Sequence, residues 1–373
     1  MPAPQEGNDL NYQAISLHSP FTYEGLPTRV RFGAGTRSAV REEALRLGMS
    51  RVLVLSGPAH QAFALQLVSA LGDLYAGIYD GARMHTPVDV TEQALALLRE
   101  LRADGILAIG GGSTTGLGKA LALRTDLPQI VLPTTYAGSE MTPILGETQA
   151  GLKTTVRSLK VLPETVIYDV DLTMDLPAGL SGVSGMNAVA HAVEALYARD
   201  ANPIVTALAL ESIGSLAHAL PAVCANPRDT VARAGALYGA WLAGICLGSV
   251  GMALHHKLCH TLGGTFDLPH AQTHAVVLPH ALAYNAPAIP EVMARLCAVL
   301  GVDDAPLALY ELNTAIGAPK GLRELGMPED GIDRCVELAT ANPYWNPQPL
   351  DRMRLRALLA RAYAGAAPSI DPI

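Results

Sequence analysis

Up to about residue 132 the chain alternates short apolar runs with stretches of helical period; past residue 169 the short runs stop. Arg51 to Ser56 reads as a buried strand, followed by a helix through about Leu71. Val90 to Arg102 carries leucines at helical spacing, and Gly105 to Gly110 is the next strand. A glycine loop, a helix from about Thr115 to Arg124 and a strand from Gln129 to Leu132 continue the series. Strands that alternate with helices pair in parallel and are covered on both faces, which predicts a Rossmann-like α/β domain. Beyond Asp169 long Ala/Leu-rich segments are broken at Asn202-Pro203, Asn226-Pro227 and Gly317-Ala318-Pro319, so the second half reads as all-helical. The boundary falls near 165–175, giving an α/β domain over 1–168 and a helical domain over 169–373.

Two domains also suit 373 residues, with 50% hydrophobic and 16% charged side chains to fill and clothe two cores. A formal net charge of −8 without a basic patch argues against nucleic acid as a partner, though an anionic small molecule needs only local cations. Five scattered cysteines with no CxxC pair indicate neither a zinc knuckle nor a disulfide framework, and a reducing cytoplasm fits them. The first residues lack a basic stretch leading into an apolar core, so no signal peptide is expected. Ala234 to Leu254 contains no charge and is long enough to cross a bilayer. Gly235, Gly239, Gly244 and Gly248 give it a small face suited to close helix contact, and no second comparable span is apparent, so a buried helix is expected.

Gly110-Gly111-Gly112-Ser113-Thr114 stands between a predicted strand and a predicted helix, where backbone N–H groups approach a phosphate closely. The run matches neither GxGxxG nor a Walker loop, and a bare glycine run is often only a turn. Thr134, Thr135 and Ser139 follow the next strand at the same sheet edge, and the two loops together favour a dinucleotide. The first strand ends in Ser56-Gly57-Pro58, without the acid that repels a 2′-phosphate, so NADH and NADPH are both admissible.

Asn187 and His191 share a helix face four residues apart, as do His256 and His260, and His270 follows Pro269 at a helix start. Such clustering points to a joint site, whereas His255, His274 and His280 read as packing or supporting residues. Neither HExxH nor GxSxG occurs, which removes support for a zincin or a serine hydrolase.

With these motifs in view the chain resembles the iron-containing alcohol dehydrogenase family, which has the dehydroquinate synthase-like architecture, over roughly residues 20 to 365. GGGSTTGLGKA (110–120), PTTYAGSE (133–140), 153–169 and SGMNAVAHAVEA (184–195) look like its maleylacetate-reducing branch. The resemblance implies a nicotinamide cofactor, a homodimer, and metal positions at Asn187, His191, His256 and His270, with His260 the non-ligand histidine of the site. Asn187 stands where the family has Asp, and Gly116 where GGGSxxD has its acid. An amide is a poorer ligand than a carboxylate for a hard cation, so the resemblance implies a degenerate site and catalysis without metal.

Reduction of an enone places negative charge on a ketone oxygen, and an enolate is less basic than an alkoxide, so hydrogen bonds can replace a metal. The residues suited to this are His256 and His260, with His191 and His270 completing the ring and Tyr136 an alternative acid. Asn187, Lys257, Lys153 and Arg157 are the groups expected to meet a dicarboxylate substrate. A metal-dependent alcohol dehydrogenase, a dehydroquinate synthase-like lyase and an inert interaction protein remain as alternatives.

Overall fold

The computed structural model describes residues 20–149, 152–342 and 344–370. Its first half runs β1 (Arg29–Phe32), α1 (Val40–Arg46), β2 (Val52–Leu55), α2 (Gln61–Leu71), β3 (Tyr75–Tyr79), α3 (Val88–Glu100), β4 (Gly105–Gly110), α4 (Gly112–Thr125), β5 (Gln129–Pro133), β6 (Ile144–Gln149), β7 (Leu152–Arg157) and β8 (Thr165–Tyr168). The second half is helical: α5 (Ala178–Leu196), α6 (Pro203–Ala225), α7 (Thr230–Ser249), α8 (Leu254–Phe266), α9 (His270–Asn285), α10 (Pro290–Leu300), α11 (Ala305–Ala315), α12 (Gly331–Ala341) and α13 (Arg352–Ala364).

Six strands form one parallel sheet in the order β1-β8-β5-β4-β2-β3, so the expected α/β architecture with a helical partner is what the chain adopts. The central strands β2, β4 and β5 are fully buried, which is why they read as unbroken apolar runs. Because β4 lies between β2 and β5, the loops that follow these three strands meet at one edge. Strands in open α/β sheets deliver ligands to that edge. β6 and β7 form an antiparallel hairpin outside the sheet that the sequence did not signal, since its residues lack apolar alternation. The helix after the glycine run begins at Gly112 rather than near Thr115, so the glycines supply its first turn as well as the turn before it.

The α7 helix lies inside the helical body, packed on α5 and α6. Its Gly239 and Gly235 carbonyls accept hydrogen bonds from Ser212 and Ser215 of α6. The opposite glycines meet the other domain: a Cβ on Gly244 would stand 2.5 Å from the Gly138 carbonyl oxygen. Contrary to the sequence reading, a second helix, α6, also has the length and apolarity of a membrane span. It packs on α5, α7 and α10.

Two buried cations fix the loop after β5. The Lys119 ammonium, on α4, donates to the Ser139, Thr142 and Ile144 carbonyls and to the Thr142 hydroxyl. Burial pulls it down to about 7, but that crowd of oxygens around three N–H donors is built for the charged form. The Arg233 guanidinium, on α7, donates to the Tyr136 hydroxyl, Ser181 Oγ, and the Leu176 and Pro227 carbonyls.

Gly244→Ala is expected to cost about 1–3 kcal/mol of stability, because backbone and not a flexible side chain would have to yield. Gly264→Ala, in α8 with open space around the new methyl, should instead gain about 0.5–1 kcal/mol. Urea unfolding of the two variants measures the contrast.

Candidate active site

The site begins with one face of α5. Asn187, His191 and Glu194 lie at i, i+4 and i+7, and all three are buried. Glu194 reaches to the start of α8, whose entering residue Ala253 offers no side-chain cap. Its carboxylate accepts from the backbone N–H groups of Ala253 (3.0 Å) and His255 (2.8 Å), satisfying donors that a helix start leaves open. Its Oε2 also lies 2.6 Å from His256 Nδ1. A carboxylate on Nδ1 holds a proton there, so the His256 tautomer and ring direction are set by α5.

On its other side His256 Nε2 is 2.8 Å from His191 Nδ1, and the ring centroids are 4.9 Å apart. When both imidazoles are neutral one proton serves this contact. Burial, and then the neighbouring His256 and His270, hold His191 well below the usual histidine range. Toward solvent the network opens. His260 is exposed, its ring 6.1 Å from and edge-on to His256, and the exposed His270 ring stacks on it at 6.4 Å. The structure therefore brings His191, His256, His260 and His270 together as the sequence predicts. Asn187 joins them on α5 with a buried Oδ1 that has no partner.

Behind this layer His274 packs on His270 at 4.3 Å and on His256 at 5.0 Å, and it bonds through Nδ1 to His255 Nε2 (3.0 Å). The Cys259 thiol lies 3.7 Å from the same His255 nitrogen. Among the described residues these three have metal-ligand spacing. His255 and His274 pack behind the His256 and His270 rings.

Other sequence choices fall elsewhere. The Tyr136 hydroxyl points to Arg233 Nη1 (3.2 Å), and burial pushes it up, so it is a clamp between domains and not an acid at the cluster. Loop residues give no periodicity from which a side-chain direction could be read. Arg157 donates to the Gly248 carbonyl (2.6 Å) at the end of α7, which ties the β6–β7 hairpin to the helical domain instead of presenting a free cation. Lys257, one residue past His256 and so turned about 100° from it, lies over the Tyr344 ring at 5.6 Å. The side chain of Lys153 lies outside the described residues. Glu194 is the functional residue that sequence reasoning missed, although its i+7 spacing from Asn187 was there to find.

At the sheet edge, Gly110 has φ +150, and a Cβ on it would strike the Thr114 hydroxyl at 2.5 Å. A Cβ on Gly111 would meet Thr135 at 2.9 Å, while Gly112 faces open space. No side chain caps α4 at Gly111, so its first N–H groups are left for an anion. Gly112 is exposed, Gly111, Ser113 and Ser139 are half-buried, Thr135 faces Gly111, and Thr114 and Thr134 are buried; the Ser139 hydroxyl is buried without a partner. Ser56, at the end of β2, is fully buried, its hydroxyl without a partner. Gly116 packs on Thr86, whose hydroxyl is 2.3 Å from where a Cβ would stand, so an aspartate there would displace it.

Family models agree with both halves. Residues 27–170 match the iron-containing alcohol dehydrogenase model, and 182–363 match its C-terminal companion. The chain belongs to the iron-containing alcohol dehydrogenase family. Within the family it is 55% identical to a maleylacetate reductase of Rhizobium sp. (strain MTP-10005) over 94% of this chain and 99% of the relative. The crystal structure of maleylacetate reductase from that strain superposes with a TM-score of 0.91, at 55% identity, over 94% of this chain and 99% of the other. A distant fold neighbour at 22% identity, sulfoacetaldehyde reductase of Bifidobacterium kashiwanohense solved with NAD+, matches with a TM-score of 0.84 over 92% of this chain and 99% of its own.

Glu194→Gln keeps one acceptor for the α8 N–H groups, turns an amide NH2 toward another of them, and loses the charge beside His256. It should therefore lower the melting temperature modestly and lower turnover by about a hundredfold. Thermal melts and steady-state rates on one preparation separate the two effects.

Proposed function

We propose that this chain reduces the carbon–carbon double bond of maleylacetate to give 3-oxoadipate, with NADH or NADPH as hydride donor. The observation that carries the reading is the Glu194–His256–His191 chain in a family whose namesake chemistry needs a metal at the same place. The relatives bearing the name maleylacetate reductase support it.

The residues suit a nicotinamide dinucleotide: the Gly110–Gly112 cradle and the uncapped start of α4 would take its diphosphate. When bound, the cofactor supplies a hydride to the alkene carbon β to the ketone. The same residues suit iron poorly. Asn187 offers a neutral amide oxygen, and among the described residues His191, His256 and His270 do not form a group with metal-ligand spacing. The His255–Cys259–His274 group fits no better, since the outer nitrogens of both imidazoles lack partners where a metal-bound histidine would donate.

Hydrogen bonds take over the metal's work in this scheme. Protonated His256 is an ion pair with Glu194, so it carries no uncompensated charge when loaded. Its Nε2 must turn from His191 to donate toward the enolate that forms, and the carbon α to the ketone takes up a proton from the His256–His260 side. His260, exposed to water, returns a proton to the network afterwards. His191 and His270 hold the ring of imidazoles in place, and Asn187 would meet a substrate carboxylate through its amide N–H. Electron pair and proton both end on carbon.

A cytoplasmic homodimer serving the bacterial breakdown of aromatic rings completes the proposal. Lys257 and Lys153 are proposed for the substrate carboxylates. Maleylacetate mixed with the protein and NADH should bleach the nicotinamide absorbance equally with and without a chelator. Loss of the signal with chelator would favour a metal-dependent dehydrogenase, and no net bleaching in either arm would favour a lyase. His260→Ala should lose turnover while still binding NADH, and wild-type turnover in that variant would remove His260 from the mechanism.

A further inference from the structure

The corner where dinucleotide folds carry an acid is held in this chain by a base. His60 ends the loop after β2 and leans across β4 to the loop after β5, where its Nε2 lies 3.0 Å from Thr134 Oγ1. Its Nδ1 stands 3.7 Å from the point a Cβ on Gly110 would occupy. The imidazole thus bridges the glycine run, with Thr114 filling the space a Gly110 side chain would take. His60 is half-buried, beside Gly110 and Thr134. Thr134 Oγ1 has His60 as its described partner. A threonine hydroxyl that donates to Nε2 leaves the ring proton on Nδ1, the nitrogen beside Gly110.

We propose that His60 is a contact of the cofactor diphosphate: its Nδ1–H donates to a phosphate oxygen seated on Gly110–Ser113, and Thr134 fixes the ring for that task. This rests on the nicotinamide part of the reading above and is independent of which compound is reduced. An imidazole donor and an uncapped helix start then approach one anion from two sides. No carboxylate is needed at the end of β2 for the loop to hold its ligand, because the contact is with phosphate rather than with a ribose hydroxyl.

ADP-ribose, NADH and NADPH binding to the full-length protein, with adenosine as the phosphate-free control, tests the contact in His60→Leu and His60→Asn. Losing one hydrogen bond to a charged group should weaken ADP-ribose and NADH by about tenfold or more in the leucine variant. Adenosine affinity should not move, and asparagine, with an amide N–H at the Nδ1 position, should recover most of the loss. In turnover the effect should fall on KM for NADH more than on kcat. Unchanged ADP-ribose affinity in both variants would overturn the proposal, as would a loss confined to NADPH, which would place the imidazole at the ribose phosphate. Equal weakening of adenosine would reduce His60 to a packing residue. ADP-ribose binding needs no substrate, so a protein that fails to reduce maleylacetate still reports on His60.

Discussion

The carboxylate of Glu194 is asked to do two things at once, and the rest of the site follows from that. It closes the open N–H groups at the start of α8, which fixes where that helix begins. It also accepts a hydrogen bond from His256 Nδ1–H, which fixes how that imidazole on α8 is turned. Since α8 then carries His260 one turn further on, and α9 delivers His270 beside it, the ring of histidines inherits its geometry from a single side chain on α5. A buried carboxylate without such partners would be costly. Here the desolvation is offset by four donors and leaves a negative charge beside the His256 imidazole.

The two domains meet through contacts that exclude ordinary side chains. Gly138 and Gly244 touch backbone to backbone, Arg233 gathers groups from both sides, and Arg157 ties the hairpin to the end of α7. Lys119 holds the loop after β5 from beneath. These clamps keep the phosphate loop and the histidine helices in register, so hydride donor and proton donors share one cleft. The apolar stretch that looks like a membrane span owes its composition to this job, since only small residues let α7 sit so close to its neighbours.

Much of this was legible in the sequence, for identifiable reasons. β2, β4 and β5 announced themselves because both their faces are buried. Edge strands hid: β1 reads RVRF with two charges, and β3 contains a glycine and is only half-buried. The histidines at 191, 256, 260 and 270 stood out because helical spacing converts sequence distance into a shared face. Glu194 obeys the same spacing, but a lone acid in a helix resembles a solvated one until its partner across the fold is known. Tyr136, Arg157 and His60 sit in loops or at strand ends, where direction depends on the tertiary path and no local pattern reports it.

The contact between His191 Nδ1 and His256 Nε2 has a further consequence. Two neutral imidazoles facing each other hold a single hydrogen between them, so the interior of the cleft is a reservoir with a capacity of one above its resting state. In the proposed reaction each cycle would draw on it once, and the exposed members of the ring through which it would be refilled are His260 and His270 among the described residues. The cleft is therefore a turnstile for protons: slow buffers, heavy water or a crowded exit at His260 would set its pace even when hydride delivery is fast.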